Sequence, residues 1–114
     1  MTAANVFSRA LTLLGYTGDS HTESLKQRAI PLINAAYIDV CRAKNIEFLP
    51  IKALSDQLSV DEVTSLDVLV YGVAMFIAQS EGDTEIGAYY CDLYNRKRAT
   101  LATTDRIIDV LPRG

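Results

Sequence analysis

Residues 59–83 read SVDEVTSLDVLVYGVAMFIAQSEGD, and this stretch decides the fold. Leu66, Leu69, Val70, Val73 and Ile77 recur at helical spacing and form one apolar stripe. Val68, Tyr71 and Met75 form a second stripe on another face. A helix that is apolar on most sides is central to a fold or shared with a partner. Ser59 and Glu62 fit a capping box, so the helix should start near Ser59. Asp61 and Glu62 suit the positive end of its dipole. Gly72 lets a neighbouring backbone come close, at some cost in helix propensity. Glu81-Gly82-Asp83 then breaks the helix, with Gly82 suited to the position just past its end and Asp83 suited to cap the next one.

The flanking segments are helical as well. Upstream, Val6, Phe7, Ala10, Leu11 and Leu14 predict a helix over about 3–14, ended by Gly15, Gly18 and Asp19. A second helix should start at Ser20, where Ser20 and Glu23 again fit a capping box. Its stripe is Leu25, Ala29, Leu32, Ile33, Ala36, Tyr37, Val40 and Cys41, and Pro31 inside it should kink the helix or split it in two. Residues 45–58 lose helical spacing, and Pro50 biases Leu49 to an extended conformation. They read as an ordered loop with room for a short strand. Downstream, a helix over about 84–102 packs through Ile86, Tyr89, Tyr90, Leu93 and Tyr94. Asp92 and Arg96 can pair at i, i+4, and Arg96-Lys97-Arg98 favours the negative end of that helix. Residues 104–114 alternate aliphatic and charged residues and close on Pro112, which is β-prone chemistry. The expected architecture is all-α: a compact bundle of four to five helices over 1–103, a loop around 45–58, and an extended C-terminal arm over 104–114. That arm either folds back on its own bundle or docks on another chain, for example by adding a strand to an open sheet edge.

Composition bounds the function. The chain has 114 residues, 49% of them hydrophobic and 22% charged, so it reads as one globular domain. No apolar run approaches the ~20 residues that span a bilayer, and MTAANVFSRALTLLGY lacks the basic start and cleavage site of a signal peptide. Two cysteines and one histidine rule out a disulfide scaffold and nearly all zinc sites. Cys41 and Cys91 fall on apolar helical faces and read as core thiols. His21 reads as a surface residue. Gly15 and Gly18 lack the lysine and preceding strand of a phosphate-binding loop. The acidic clusters at helix starts lack the alternating oxygen ligands of a calcium loop. No catalytic, cofactor or metal residues are expected, and an enzyme is the weakest reading.

The net charge of −3 hides an uneven split. Residues 1–44 carry five bases and three acids, residues 45–92 one base and nine acids, and residues 93–114 five bases and two acids. These balances are +2, −8 and +3, which sum to −3. An acidic middle and basic ends can attract a charged partner or a second copy. Clustered surface charge without a partner accounts for the same pattern. The Arg96-Lys97-Arg98 run can contact phosphate, although a pI near 5.0 is unlike a DNA-binding domain.

Three stretches together carry a resemblance: Asp67-Val68-Leu69-Val70-Tyr71-Gly72-Val73-Ala74, the Glu81-Gly82-Asp83 break, and Tyr94-Asn95-Arg96-Lys97-Arg98-Ala99. The chain resembles the small head–tail connector, or adaptor, proteins of tailed double-stranded-DNA phages, over about residues 3–111. The resemblance implies an all-α subunit of a homo-oligomeric ring, commonly a dodecamer, beneath the portal in the virion neck. The ring would extend the DNA channel without reading sequence and meet a stopper or other neck or tail protein. Assembly would take place in the bacterial host cytoplasm, with no cofactor and no membrane. Portal docking would fall to the C-terminal arm, here Arg106, Ile107, Ile108, Val110 and Leu111. Ring contacts would fall to helix residues such as Asp67, Tyr71, Arg96 and Arg98. A ring needs two different patches that meet, and the acidic middle and basic end could supply them. The alternative is a small helical nucleic-acid-binding or regulatory protein using Arg96–Arg98.

Overall fold

The computed structural model describes the backbone of residues 1–16 and 19–110, and the side chains of 1–16 and 22–101. Helix α1 (Ala3–Leu14) starts at Thr2, whose hydroxyl accepts from the Asn5 N–H at 3.2 Å. It buries Ala3, Val6, Phe7, Ala10 and Leu11, while Leu14 is half-buried. Gly15, at φ +74°, closes it: the N–H groups of Gly15 and Tyr16 donate to the carbonyls of Thr12 and Leu11.

Helix α2 (Asp19–Lys26) starts one residue ahead of the expected Ser20, and the side chains of Ser20 and His21 lie outside the described ones. Leu25 anchors it in the core. Pro31 splits the long stripe, as one of its two expected effects. The break falls at Gln27 and Arg28, and α3 (Ala29–Lys44) begins with Pro31 in its first turn. A missing N–H costs nothing there, because first-turn N–H groups have no helical acceptor. Helix α3 buries Ala29, Ile33, Ala36, Tyr37, Val40 and Cys41.

Residues 45–58 form a loop held by side chains. Asn34 clamps Ile51, accepting from its N–H at 2.9 Å and donating to its carbonyl at 3.1 Å. Asp56 accepts from the N–H groups of Lys52 and Ala53. The sole β pairing among the described residues is an isolated antiparallel bridge between Thr2 and Gln57.

Helix α4 (Glu62–Ser80) packs against α1, α3 and the last helix. By length and composition it could cross a membrane, contrary to the expectation from residue counts. Most of it is buried within the fold, which marks it as the core helix. Its cap is Asp61 and not Ser59: Asp61 accepts from the Thr64 N–H at 3.0 Å, whereas Ser59 bonds Tyr37. Residues Ser65–Leu69 form a π-helical turn, in which the Val70 N–H donates to the Ser65 carbonyl. The wider turn rotates Leu66 out of the stripe it shares by spacing with Val73 and Ile77. Leu66 is therefore 36% exposed.

Gly82, at φ +74°, and Asp83 end α4 as expected. Their N–H groups donate to the carbonyls of Gln79 and Ala78, and Asp83 accepts from the Ile86 N–H at 3.3 Å. Helix α5 (Thr84–Val110) follows. It runs past the expected end near Ala102, so residues 104–110 have a helical backbone where the sequence reading expects an extended arm. A helix satisfies its own N–H and C=O groups, whereas a strand there would need a partner edge. Arg96-Lys97-Arg98 consequently lies within the helix and not at its negative end. Tyr89, expected on the packing side, is 62% exposed, while Tyr94 and Gly87 face inward.

Candidate functional site

The turn between α4 and α5 sets these helices side by side, and their register decides which expected contact residues meet. Asp67 and Tyr71, one turn apart on α4, face Lys97 of α5. The Lys97 Nζ lies 2.9 Å from Asp67 Oδ1 and 4.6 Å from the Tyr71 ring centre. This adds a cation–π contact to the ion pair. Tyr71 packs against Tyr90 at 6.2 Å, and Tyr90 meets Tyr89 edge-on at 5.0 Å. The Tyr90 hydroxyl donates to the Leu13 carbonyl at 3.1 Å, tying this aromatic cluster to the end of α1. Burial raises the Tyr90 phenol pKa, and Tyr89 and Tyr71 add to the shift. Next to the cluster, Arg9, Thr12, Leu13, Leu66, Val70 and Tyr71 line an open groove of about 420 Å³.

Arg96 and Arg98 are not part of this face. Arg96 pairs with Asp92 at 2.8 Å, in the expected i, i+4 arrangement, and both side chains are exposed. Arg98 turns towards α3, where it pairs with Asp39 at 3.4 Å and donates to Asn95 Oδ1 at 3.0 Å. Its guanidinium also sits 5.3 Å from the Tyr94 ring centre. The basic run therefore points three ways, as the 100° step of a helix dictates. Lys97, Tyr89 and Tyr90 complete the Asp67–Tyr71 face and were not among the expected contacts. The signal for Tyr90 and Lys97 was their i, i+7 spacing, two turns along one side of the helix.

Charge blocks that are separate in sequence meet within one chain. Arg28 pairs with Glu81 at 2.7 Å, Lys44 with Asp61 at 3.7 Å, and Lys97 with Asp67. Each is a partly exposed pair worth about 0–1 kcal/mol. Cys41 is buried, and burial raises its thiol pKa against the opposing hydrogen bonds of Ser59 and Tyr37. Cys91 is half-buried and accepts from Asn95 Nδ2 at 3.5 Å. The backbone at Arg106, Ile107, Ile108 and Val110 belongs to α5, with side chains outside the described ones. Leu111 lies outside the described residues altogether.

No known family matches the chain, and neither does any curated protein or solved structure.

Proposed function

We propose that this chain is a structural virion protein, a head–tail connector that forms a ring beneath the portal and links capsid to tail. The observation that carries the reading is the α4–α5 hairpin. All three stretches that bear the resemblance lie on it, at its facing helices and its Gly82–Asp83 turn, within an all-α bundle. In this reading the ring extends the channel through which double-stranded DNA passes, with no sequence recognition and no catalytic step. Neighbouring copies meet through unlike patches, the Asp67–Tyr71 face on one hand and, on two other sides of α5, Arg96 and Arg98 on the other. The C-terminal segment, with Arg106, Ile107, Ile108, Val110 and Leu111, docks on the portal. A stopper or other neck protein binds beneath, and the host cytoplasm is the place of assembly.

Mass measurement in solution, with and without purified portal and followed by imaging, tests this reading. A ring on the portal is expected, and a strict monomer that ignores portals refutes it. Deleting residues 104–114 should remove only the helical circular dichroism signal of residues 104–110, leaving that of the rest of the bundle, yet abolish portal binding. Unchanged binding would remove the docking role. Phosphate binding by Arg96–Arg98 has less support, because Arg96, Lys97 and Arg98 each already hold a carboxylate. A gel shift that weakens steeply between low and moderate salt would favour that reading instead.

A further inference from the structure

At the start of α4, chemistry and burial are mismatched. Thr64 and Ser65 are buried, while Val63 is 74% exposed and Leu66 faces the groove. The fully buried Ser65 hydroxyl has no hydrogen-bond partner among the described residues. Leaving such a group unpaired opposes folding. The π turn explains why the mismatch persists. It holds one residue more than an α-helical path between the same two ends, and both ends are tied. Upstream, Asp61 accepts from the Thr64 N–H at 3.0 Å and from its hydroxyl at 2.7 Å. The Tyr37 hydroxyl lies 2.6 Å from Ser59 Oγ and accepts from the Ser59 N–H at 2.8 Å, and Val60 is buried. Downstream, Val70, Val73 and Ala74 are locked in the core.

We propose that residues 62–69 form a two-register element. In the second register the π turn closes to α-helix, and each residue upstream of it retreats by one position. Leu66 enters the slot now held by Ser65, Ser65 moves to the buried slot of Thr64, and Thr64 moves to the exposed slot of Val63. The groove beside Leu13 and Tyr71 loses its Leu66 wall. Burying a leucine favours the second register, while fitting it where a serine now sits and parting Thr64 from Asp61 oppose it. The Asp61 cap and the Tyr37–Ser59 clamp hold the first register, so this segment can reshape the groove without unfolding the bundle.

Thiol labelling tests the proposal. Single reporters, T64C or S65C, are placed in a Cys91→Ser chain, with and without Asp61→Ala. Losing a cap shifts a helix equilibrium by about two- to thirtyfold, and labelling of T64C should rise by that factor. Labelling of S65C should not change, because its slot is buried in both registers. If both reporters label faster, the helix end frays and the proposal fails. It fails too if neither changes. A second variant deletes Ser65, removing the surplus residue while keeping both anchors. This chain should fold with undiminished helicity and melt no lower than its parent. A deletion variant that does not fold overturns the two-register reading.

Discussion

Replacing Gly72 with alanine sets two opposing effects against each other in the core. A methyl group there would lie 2.6 Å from Cε1, 2.9 Å from Cζ and 3.0 Å from Cδ1 of Tyr94. The Tyr94 ring has little room to retreat. It is buried, its hydroxyl donates to the Ala36 carbonyl at 3.4 Å, and Arg98 lies over its face. Helix propensity favours alanine by about 1 kcal/mol. Overpacking opposes it by about 1–3 kcal/mol, and displacing the hydroxyl from Ala36 forfeits about 1 kcal/mol more. The net expectation is a loss of about 1–3 kcal/mol in urea denaturation. Each kcal/mol should appear as a drop of about 4 °C or more in Tm. Combining Gly72→Ala with Tyr94→Leu should relieve the clash, so the double-mutant cycle should show coupling of about 1 kcal/mol or more. A Gly72→Ala protein more stable than its parent would refute the reasoning, and so would strict additivity in the cycle.

Other perturbations test other joints of the fold. Tyr37→Phe removes the hydroxyl that bonds Ser59 and should cost about 1–2 kcal/mol by thermal melting. Leu25→Ala empties the buried anchor of α2 and should cost about 2–5 kcal/mol in urea denaturation, with a smaller loss if the site collapses. Acid should weaken the fold through Asp61 and Asp56. Asp61 is held below its ordinary carboxylate pKa by the Thr64 hydroxyl and N–H, and Asp56 by the N–H groups of Lys52 and Ala53. Each carboxylate binds a proton less readily folded than unfolded. Its contribution is complete above the ordinary value of 3.8 and disappears as pH falls through the depressed one. Tm should therefore drop in this acid range, and Asp61→Asn should flatten the drop. An unchanged profile in that variant would exclude Asp61 as a source.

Local chemistry made much of the bundle legible. The apolar spacing of α1, the proline break between α2 and α3, and the Gly82–Asp83 turn each depend on residues a few positions apart. What the sequence concealed depends on residues far apart. Ser59 and Asp61 are both sound caps in isolation, and Tyr37, on another helix, takes Ser59 away. The two apolar stripes of α4 assume a constant helical period, and the π turn breaks that period between Leu66 and Leu69. Gly72 announced a close approach, but the group that approaches is the Tyr94 ring and not a backbone. The expected contact residues divided for a similar reason. Asp67 and Tyr71 share a face through the register of α4 on α5, whereas Arg98 is drawn off by Asp39. The balances of +2, −8 and +3 describe the chain as a string, and folding lets those blocks pair with one another.

The pairing of Thr2 with Gln57 has a practical consequence. The Ala3 N–H donates to the Asp56 carbonyl and the Leu58 N–H to the Met1 carbonyl, so Thr2 and Gln57 face each other as a non-hydrogen-bonded pair. Such pairs hold their Cα atoms about 4.5 Å apart, within reach of a disulfide. Cysteines at both positions would close α1, α2 and α3 into one covalent loop. Chain entropy puts the gain for a loop this long at about 4 kcal/mol, less about 1 kcal/mol for the lost Thr2 cap. The difference in Tm between the oxidised and reduced protein reads the cross-link's share alone, because both forms lack the Thr2 cap. The backbone already marks where a latch would fit.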